Sequence, residues 1–536
     1  MVEMMTRRLP NRAEAKRGTP DESGLAMIVV MTVVMLLTFI PLAIFTQAVQ
    51  QLPLARHDQD HEAALGAAEA GVDDYLNHLN QNSNYWLYNS TNTPPDGNQA
   101  FTTWVPVPGP NDNGEVFRYT PDTTKTGVSG TIYLTSSGKS RNVIRTVKVG
   151  IRRQGFLDFL YLTDYEIVDP ALSGDPGSCQ FRAWQKNAAS PTGWGPDPSN
   201  CSIVYWTDSA SLNGPVHTND GLYVCGSPQF HGDTDTYYNS PASQSVANVT
   251  HFVGPGLVLN PLGCSNTPVF DRLHDPAIGA DLPFPPANTA IRTQADGSVG
   301  GLGCLYTGPT TIVLHNSGNT GLMDVTSAGT KSTNAGCGPG TNLALPANGV
   351  IYVQTIPSAA GDPNHSACTG SACNGDVNVS GTLAGQLTIA AQNDIIIRGN
   401  LLYHQFPSGT DVLGLIANNN VAVYHPVNSS GVNQAGALSN PVVDAAILAL
   451  QHSFFVQNWS KGAALGSLTI NGVITQEFRG AVGTFSGTPP VIQTGYNKQY
   501  TYDTRLKYLS PPYFLSPTQS AWQRISYSEL KPTATP

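Results

Sequence analysis

From Leu25 to Phe45 the chain reads LAMIVVMTVVMLLTFIPLAIF, 21 residues without a charge. As a helix rising 1.5 Å per residue this run spans about 30 Å, the hydrocarbon thickness of a bilayer. Nothing comparable follows in the 536-residue chain, so one membrane span is predicted. Arg7, Arg8, Arg12, Lys16 and Arg17 precede it. By the positive-inside rule they stay cytoplasmic, and everything after about residue 50 is exported. The alternative is a secretory signal peptide. Its apolar core is only about 7–15 residues long, and no A-x-A cleavage site follows the run here.

The exported remainder is expected to be turn-rich and mostly β. Charged residues make up 12% of the chain, about half the share of an average domain. The 53 Gly and 40 Pro exclude a coiled coil or a helical repeat, and the few charges exclude a disordered polyelectrolyte. A net charge of −10 argues against a nucleic-acid partner, which needs a basic face to displace phosphate counterions.

Asp21-Glu22-Ser23-Gly24 stands directly before the apolar run. A basic leader, a Gly and an uninterrupted apolar helix resemble a type IV prepilin, cut on the cytoplasmic side between Gly24 and Leu25. Pro41 lies within the span, where a pilin helix is often kinked. Downstream, Arg56 to Gly71 contains the AAEAG box and resembles the N-terminal region of PilX-type minor pilins. Leu65, Ala68, Val72, Tyr75, Leu76 and Leu79 fall at helical spacing and prolong one apolar stripe beyond the membrane. Ala67, Ala68, Ala70 and Gly71 are small enough for another helix or a sheet to approach. The bland alternative is a helix packing only on its own domain. One departure is Val29, at the fifth position after the cut, where major pilins carry Glu. The resemblance therefore implies a minor component rather than the repeating subunit. It covers about residues 18–80.

Residues 81–115 read as a loop region. Gly130 to Leu134 and Asn142 to Ile151 read as strands, with Ile144, Val147 and Val149 alternating with polar residues and Ser136-Ser137-Gly138-Lys139 as the turn between them. Phe156 to Tyr165 is a third apolar run. All eight cysteines follow: Cys179, Cys201, Cys225, Cys264, Cys304, Cys337, Cys368 and Cys373. Their absence from the cytoplasmic leader and their even number point to disulfides in an oxidising space. Pairing of sequence neighbours is expected, 179–201, 225–264, 304–337 and 368–373. Zinc at Cys368 and Cys373 with His365 is the competing reading, and it lacks a second Cys pair at matching spacing.

Ile389 to Ile397 resembles Leu415 to Val423, and Ile447 to Val456 is a third copy with one extra residue. Each is an apolar strand, a polar corner and an apolar strand. Leu468 to Phe478 continues the style, and Asn213 to Val224 reads as an earlier coil. Such spacing suits one coil of a β-solenoid with Asn at the corners. A β-sandwich of short strands is the alternative. The tail is dense in aromatics, including Tyr496, Tyr500, Tyr502, Tyr508, Tyr513, Phe514 and Trp522. It reads either as a cap on the open end of the solenoid or as a surface that contacts sugars.

For chemistry, Asp394, Asp444 and Glu477 are the carboxylates the copies supply, and they do not recur on one strand face. His217 with Asp220, then His231, Asp233 and Asp235, is the best polar cluster, without the 12-residue calcium-loop pattern. G-x-S-x-G, H-E-x-x-H and P-loop motifs are absent from the sequence.

The expected fold class is mainly β: an N-terminal transmembrane, pilin-like α-helix, a small antiparallel sheet, then a β-solenoid-like domain, a right-handed parallel β-helix. The expected divisions are a leader over 1–24, the helix over 25–80, a small pilin-like β region over 81–165, the solenoid-like domain over 166–495 and a cap over 496–536. The expected function is that of a non-catalytic, minor pilin-like surface protein in filament assembly or adhesion, with no metal or cofactor. Its expected partners are the membrane, other pilin-like subunits meeting the helix around Leu65, Ala68, Gly71 and Val72, and a surface polysaccharide. Its N-terminus would be cytoplasmic and its body at the cell surface, or on a filament after processing. A polysaccharide-active β-helix enzyme and a non-pilus structural envelope protein are the alternatives.

Overall fold

The computed structural model describes residues 23–531 except 83–84, 93, 95, 110–113, 125–130, 189, 191–194, 198, 238–256, 260–266, 273–274, 328–333, 335, 358–369, 488–490 and 519–520. The chain is mainly β, with one long helix, Ser23–Gln81, at its start. Its 59 residues extend about 90 Å at the usual rise.

The last turns of this helix lie on a five-stranded antiparallel sheet. Its strands in order are Val105–Pro106, Val116–Asp122, Thr131–Ser140, Val143–Arg153 and Trp522–Leu530. Alternation in sequence becomes alternation in space. Phe117, Tyr119, Ile132, Leu134, Val147, Val149 and Ile151 face the helix and pack against Ala68, Val72, Tyr75 and Leu79. Ile144, one of the predicted inward residues, is exposed. The predicted Ser136–Lys139 turn is also corrected. Those residues continue the Thr131–Ser140 strand, and the reversal is made by Arg141 and Asn142, with Arg141 at φ 51°.

The fifth strand comes from the far end of the chain. Trp522 pairs with Arg153, Tyr527 with Val149 and Leu530 with Thr146, all antiparallel. Residues 154–521 are therefore inserted between two neighbouring strands of one sheet. The 496–536 segment, expected as a single cap, is divided. Val491–Tyr502 joins the body, while Trp522–Leu530 completes the helix-bearing sheet. Tyr161–Tyr165, grouped on sequence with the small β region, pairs in the body instead.

The body is built on parallel pairing, unlike the antiparallel pairing of a sandwich. The three near copies lie in register: Ile389 beside Leu415, Leu415 beside Ile447, and Ile447 beside Ile474. Their second halves match likewise, Ile395 beside Val421 and Val421 beside Phe454. Ile and Val from every copy share one buried core. Polar corners are stacked: Asn420 donates its amide to Asp394 at 2.9 Å, and Asn288 Nδ2 donates to the Ala391 and Ile416 carbonyls at 2.8 and 3.1 Å. Such pairing satisfies the polar groups that a turn would otherwise strand.

The stacking order is not the chain order. Ala464–Phe478 pairs parallel with Tyr161–Tyr165, the body's first strand, which in turn pairs with Val216–Thr218 and then Thr234–Thr236. A seam thus joins the end of the body to its beginning. Two expected disulfides are present, Cys179–Cys201 and Cys304–Cys337. Cys225 and Cys373 are also disulfide-bonded. Cys264, Cys368 and His365 lie outside the described residues.

Candidate anchoring and assembly site

Ala26–Phe45 is helical, apolar and wholly unburied. Its two threonines carry the span's hydroxyls. Thr32 Oγ1 and Thr38 Oγ1 donate to the Ile28 and Val34 carbonyls, each at 2.9 Å, so these polar groups are satisfied within the helix. Val29 is 53% exposed, leaving no carboxylate at this level. Gly24 and Leu25 lie in the first turn of the helix, and residues 1–22 of the expected leader lie outside the described residues.

Some 20 residues further on, the same helix becomes a packing element. Ala64, Ala68, Val72 and Tyr75 are fully buried, and Leu65 packs at the margin. Burying Val72 and Leu79 contributes about 1.5–3 kcal/mol each. The small residues serve the chain's own sheet. A Cβ on Gly71 would come within 2.9 Å of the Phe117 ring, and one on Gly138 would overlap the Ala68 amide and the Ala64 carbonyl. Strand and helix backbones touch at that point, which is why the residue is Gly. Gly138→Val is expected to cost about 2–3 kcal/mol. The cost would be read as a fall in the urea midpoint of the full chain in detergent and as loss of amide protection over 64–81.

Polar contacts fix the helix's rotation. Tyr119 Oη donates to Asp74 at 2.9 Å, Asn98 Nδ2 donates to Tyr119 at 2.6 Å, and Tyr527 Oη donates to Glu69 at 3.0 Å. Burial and the neighbouring Asp74 push the Tyr119 hydroxyl far above its ordinary pKa, so it remains a donor. Trp522 donates its amide to Asn80 Oδ1 at 2.7 Å, tying the fifth strand to the helix.

The predicted polar cluster is brought together in part: His217 meets Asp235, while Asp220, His231 and Asp233 take other partners. His217 is buried, with Nδ1 on Asp235 and Nε2 3.0 Å from Asn219 Oδ1. Asp220 is fully buried and accepts the amides of Ala183, Gly221 and Glu166 at 2.6, 2.7 and 3.0 Å. His231 pairs with Asp271 and Asp233 with Arg272 nearer the surface. Asp444 accepts from Tyr403 and Asn471 at 3.0 and 2.8 Å. Among the described residues, no group of three or more His, Cys, Asp or Glu is placed to hold a metal ion.

Glu477 is different. It stands level with Asp164 on the neighbouring strand, since Gln476 pairs with Thr163 and Phe478 with Tyr165. Burial first, then the charge of Asp164, pushes its pKa up to about 7. Burial does the same to Asp220, also to about 7. Unfolded carboxyls titrate near pH 4. Between pH 4 and pH 7 these two groups therefore bind more protons in the folded chain than in the unfolded one, and the stability they contribute falls as pH rises through that window. Glu477→Gln is expected to flatten this decline, followed as melting temperature against pH. An unchanged slope would count against the assignment.

Sequence reasoning missed the seam's buried ion pair. Glu166 and Arg479 are 0% and 1% exposed. Arg479 Nη1 donates to Glu166 at 2.9 Å, and Trp206 Nε1 donates to the same carboxylate at 3.0 Å. The partners lie 313 residues apart, beyond any local pattern.

No protein-family model matches the chain. No curated protein matches it. Among solved structures it is similar to the crystal structure of the competence-associated pilin ComZ from Thermus thermophilus, at 14% identity and a TM-score of 0.27, covering 88% of this chain and 97% of that one.

Proposed function

We propose that this chain is a membrane-anchored, non-catalytic surface protein that works as a PilX-type minor pilin in filament assembly or adhesion. One observation carries the reading. A single continuous helix is bare and apolar over Ala26–Phe45 and buried on an antiparallel sheet over its last turns. The bare part has the length to hold the precursor in a bilayer and then to pack among other pilin-like helices. The buried part fixes the head rigidly to that anchor. In this reading the parallel ladders are coils of a right-handed solenoid that carries the surface-contacting face, a polysaccharide included, away from the membrane. Disulfides stiffen it in an oxidising space.

Cells lacking the chain are expected to lose filaments or attachment. The wild-type gene restores them, and a Val34→Asp/Leu37→Asp chain does not. Unchanged filaments and attachment in the deletion strain would contradict the proposal. The neighbouring Glu477 and Asp164 favour one second reading, a polysaccharide-active enzyme. Sustained turnover on a polysaccharide panel, abolished by Glu477→Gln but not by Asp394→Asn, would establish that reading instead.

A further inference from the structure

Beside the seam lies a cavity of about 100 Å³. Its walls come from residues 204–210, from 479–485 and from Lys498 on the Val491–Tyr502 strand, so it exists only where the two ends of the body meet. Its charge is unbalanced. Arg479 gives Nη1 to Glu166 and to the Val204 carbonyl at 2.9 and 3.1 Å, and its plane lies 3.6 Å over the Trp206 ring. Its Nε is buried and has no hydrogen-bond partner among the described residues. With Glu166 matched by Arg479, Lys498 is left over. Lys498 is half-buried as a residue, yet its ammonium is enclosed, 5.6 Å from the Trp206 ring. No described carboxylate forms an ion pair with it.

Burial and then the Arg479 charge push the Lys498 pKa down to about 7, against the weaker opposing pull of Glu166. An enclosed ammonium next to another cation is unfavourable unless it gives up its proton or an anion joins it. Thr207 and Ser209 also line it, and their hydroxyls are 2.9 Å apart. The cavity has the volume of about three waters, enough for one oxyanion group and little else. We propose that this pocket binds a small oxyanion of the phosphate or carboxylate class, received by Lys498 Nζ, Arg479 Nε and the Thr207 and Ser209 hydroxyls. Bound there, the anion ties residues 204–210 to the body's last strands and closes the seam. The same chemistry fits a free ion or an anionic group carried on a larger molecule.

The test uses the full chain in detergent at pH 6, where Lys498 is charged. Inorganic phosphate, acetate and glucuronate are compared with sodium chloride at equal ionic strength. At least one of the three is expected to raise the melting temperature saturably above the chloride control. Lys498→Met should abolish the rise while melting higher than wild type in anion-free buffer, because an unpaired enclosed cation has gone. Ser209→Ala should weaken the apparent affinity about tenfold. A rise with phosphate or acetate alone marks a free ion, and one with glucuronate marks a carried group. No saturable rise with any probe, or an equal rise in Lys498→Met, would overturn the proposal.

Discussion

A chain ending at Ala521 is expected to lose its helix-bearing sheet while keeping its body. The deletion removes all eight residue pairs between Trp522–Leu530 and Val143–Arg153. It also removes Trp522, which is 8% exposed and packed in the same core as Tyr75 and Val149. Truncating a buried Trp alone costs about 3–5 kcal/mol, a large part of the 5–15 kcal/mol that holds a typical domain. The uncovered Val143–Arg153 edge would then offer unpaired amides and carbonyls to other chains. Hydrogen exchange separates the two parts. Protection should vanish over 131–153 and 64–81 and persist over 386–478, and aggregation should rise. Trp522→Ala should show the same pattern more mildly. Undiminished protection over 131–153 would contradict the insertion of the body between two strands of one sheet.

That arrangement was not legible in the sequence, for a physical reason. Gly150 and Ser526 hydrogen-bond across 376 residues, and the tail WQRISYSEL reads as well as a free edge as it does as a completing strand. Local features were legible. The long apolar helix announces itself by length and lack of charge, and the three near copies lie in register, with Asn420 at a corner against Asp394. Gly138 shows the limit. Ser-Ser-Gly-Lys has the composition of a turn, and only the approaching helix backbone explains a glycine in mid-strand. The small residues on the helix lie against the chain's own sheet, one of the two approaches the sequence left open. Among the predicted carboxylates, Asp394 and Asp444 are held in hydrogen bonds to neighbouring segments, whereas burial and Asp164 push Glu477 up to about 7.

Arg479→Met is expected to be the most damaging single substitution in the body. It leaves the Glu166 carboxylate buried with only neutral donors, Trp206 Nε1 and Thr163 Oγ1. Removing one partner of a buried pair costs about 3–5 kcal/mol, because the remaining charge has no solvent and keeps only the more distant attraction of Lys498. The damage falls at the seam, where the Arg479 amide also donates to the Tyr165 and Ile167 carbonyls at 3.1 Å. The expected result is a lower urea midpoint, with the first loss of amide protection at 161–167 and 474–480. Adding Glu166→Gln should recover part of the loss, since it removes the stranded charge. If the double variant were no more stable than the single, packing against Trp206 rather than charge would account for the effect.

The central claim is that Leu25 onward is a membrane peg that delivers the body to an oxidising exterior. An intact-mass spectrum of the native chain, taken from separated membrane and cytosolic fractions, tests it most directly. The expected species is membrane-associated, begins at Leu25 and has every cysteine oxidised. A cytosolic species that retains residues 1–24 and carries free thiols would contradict it.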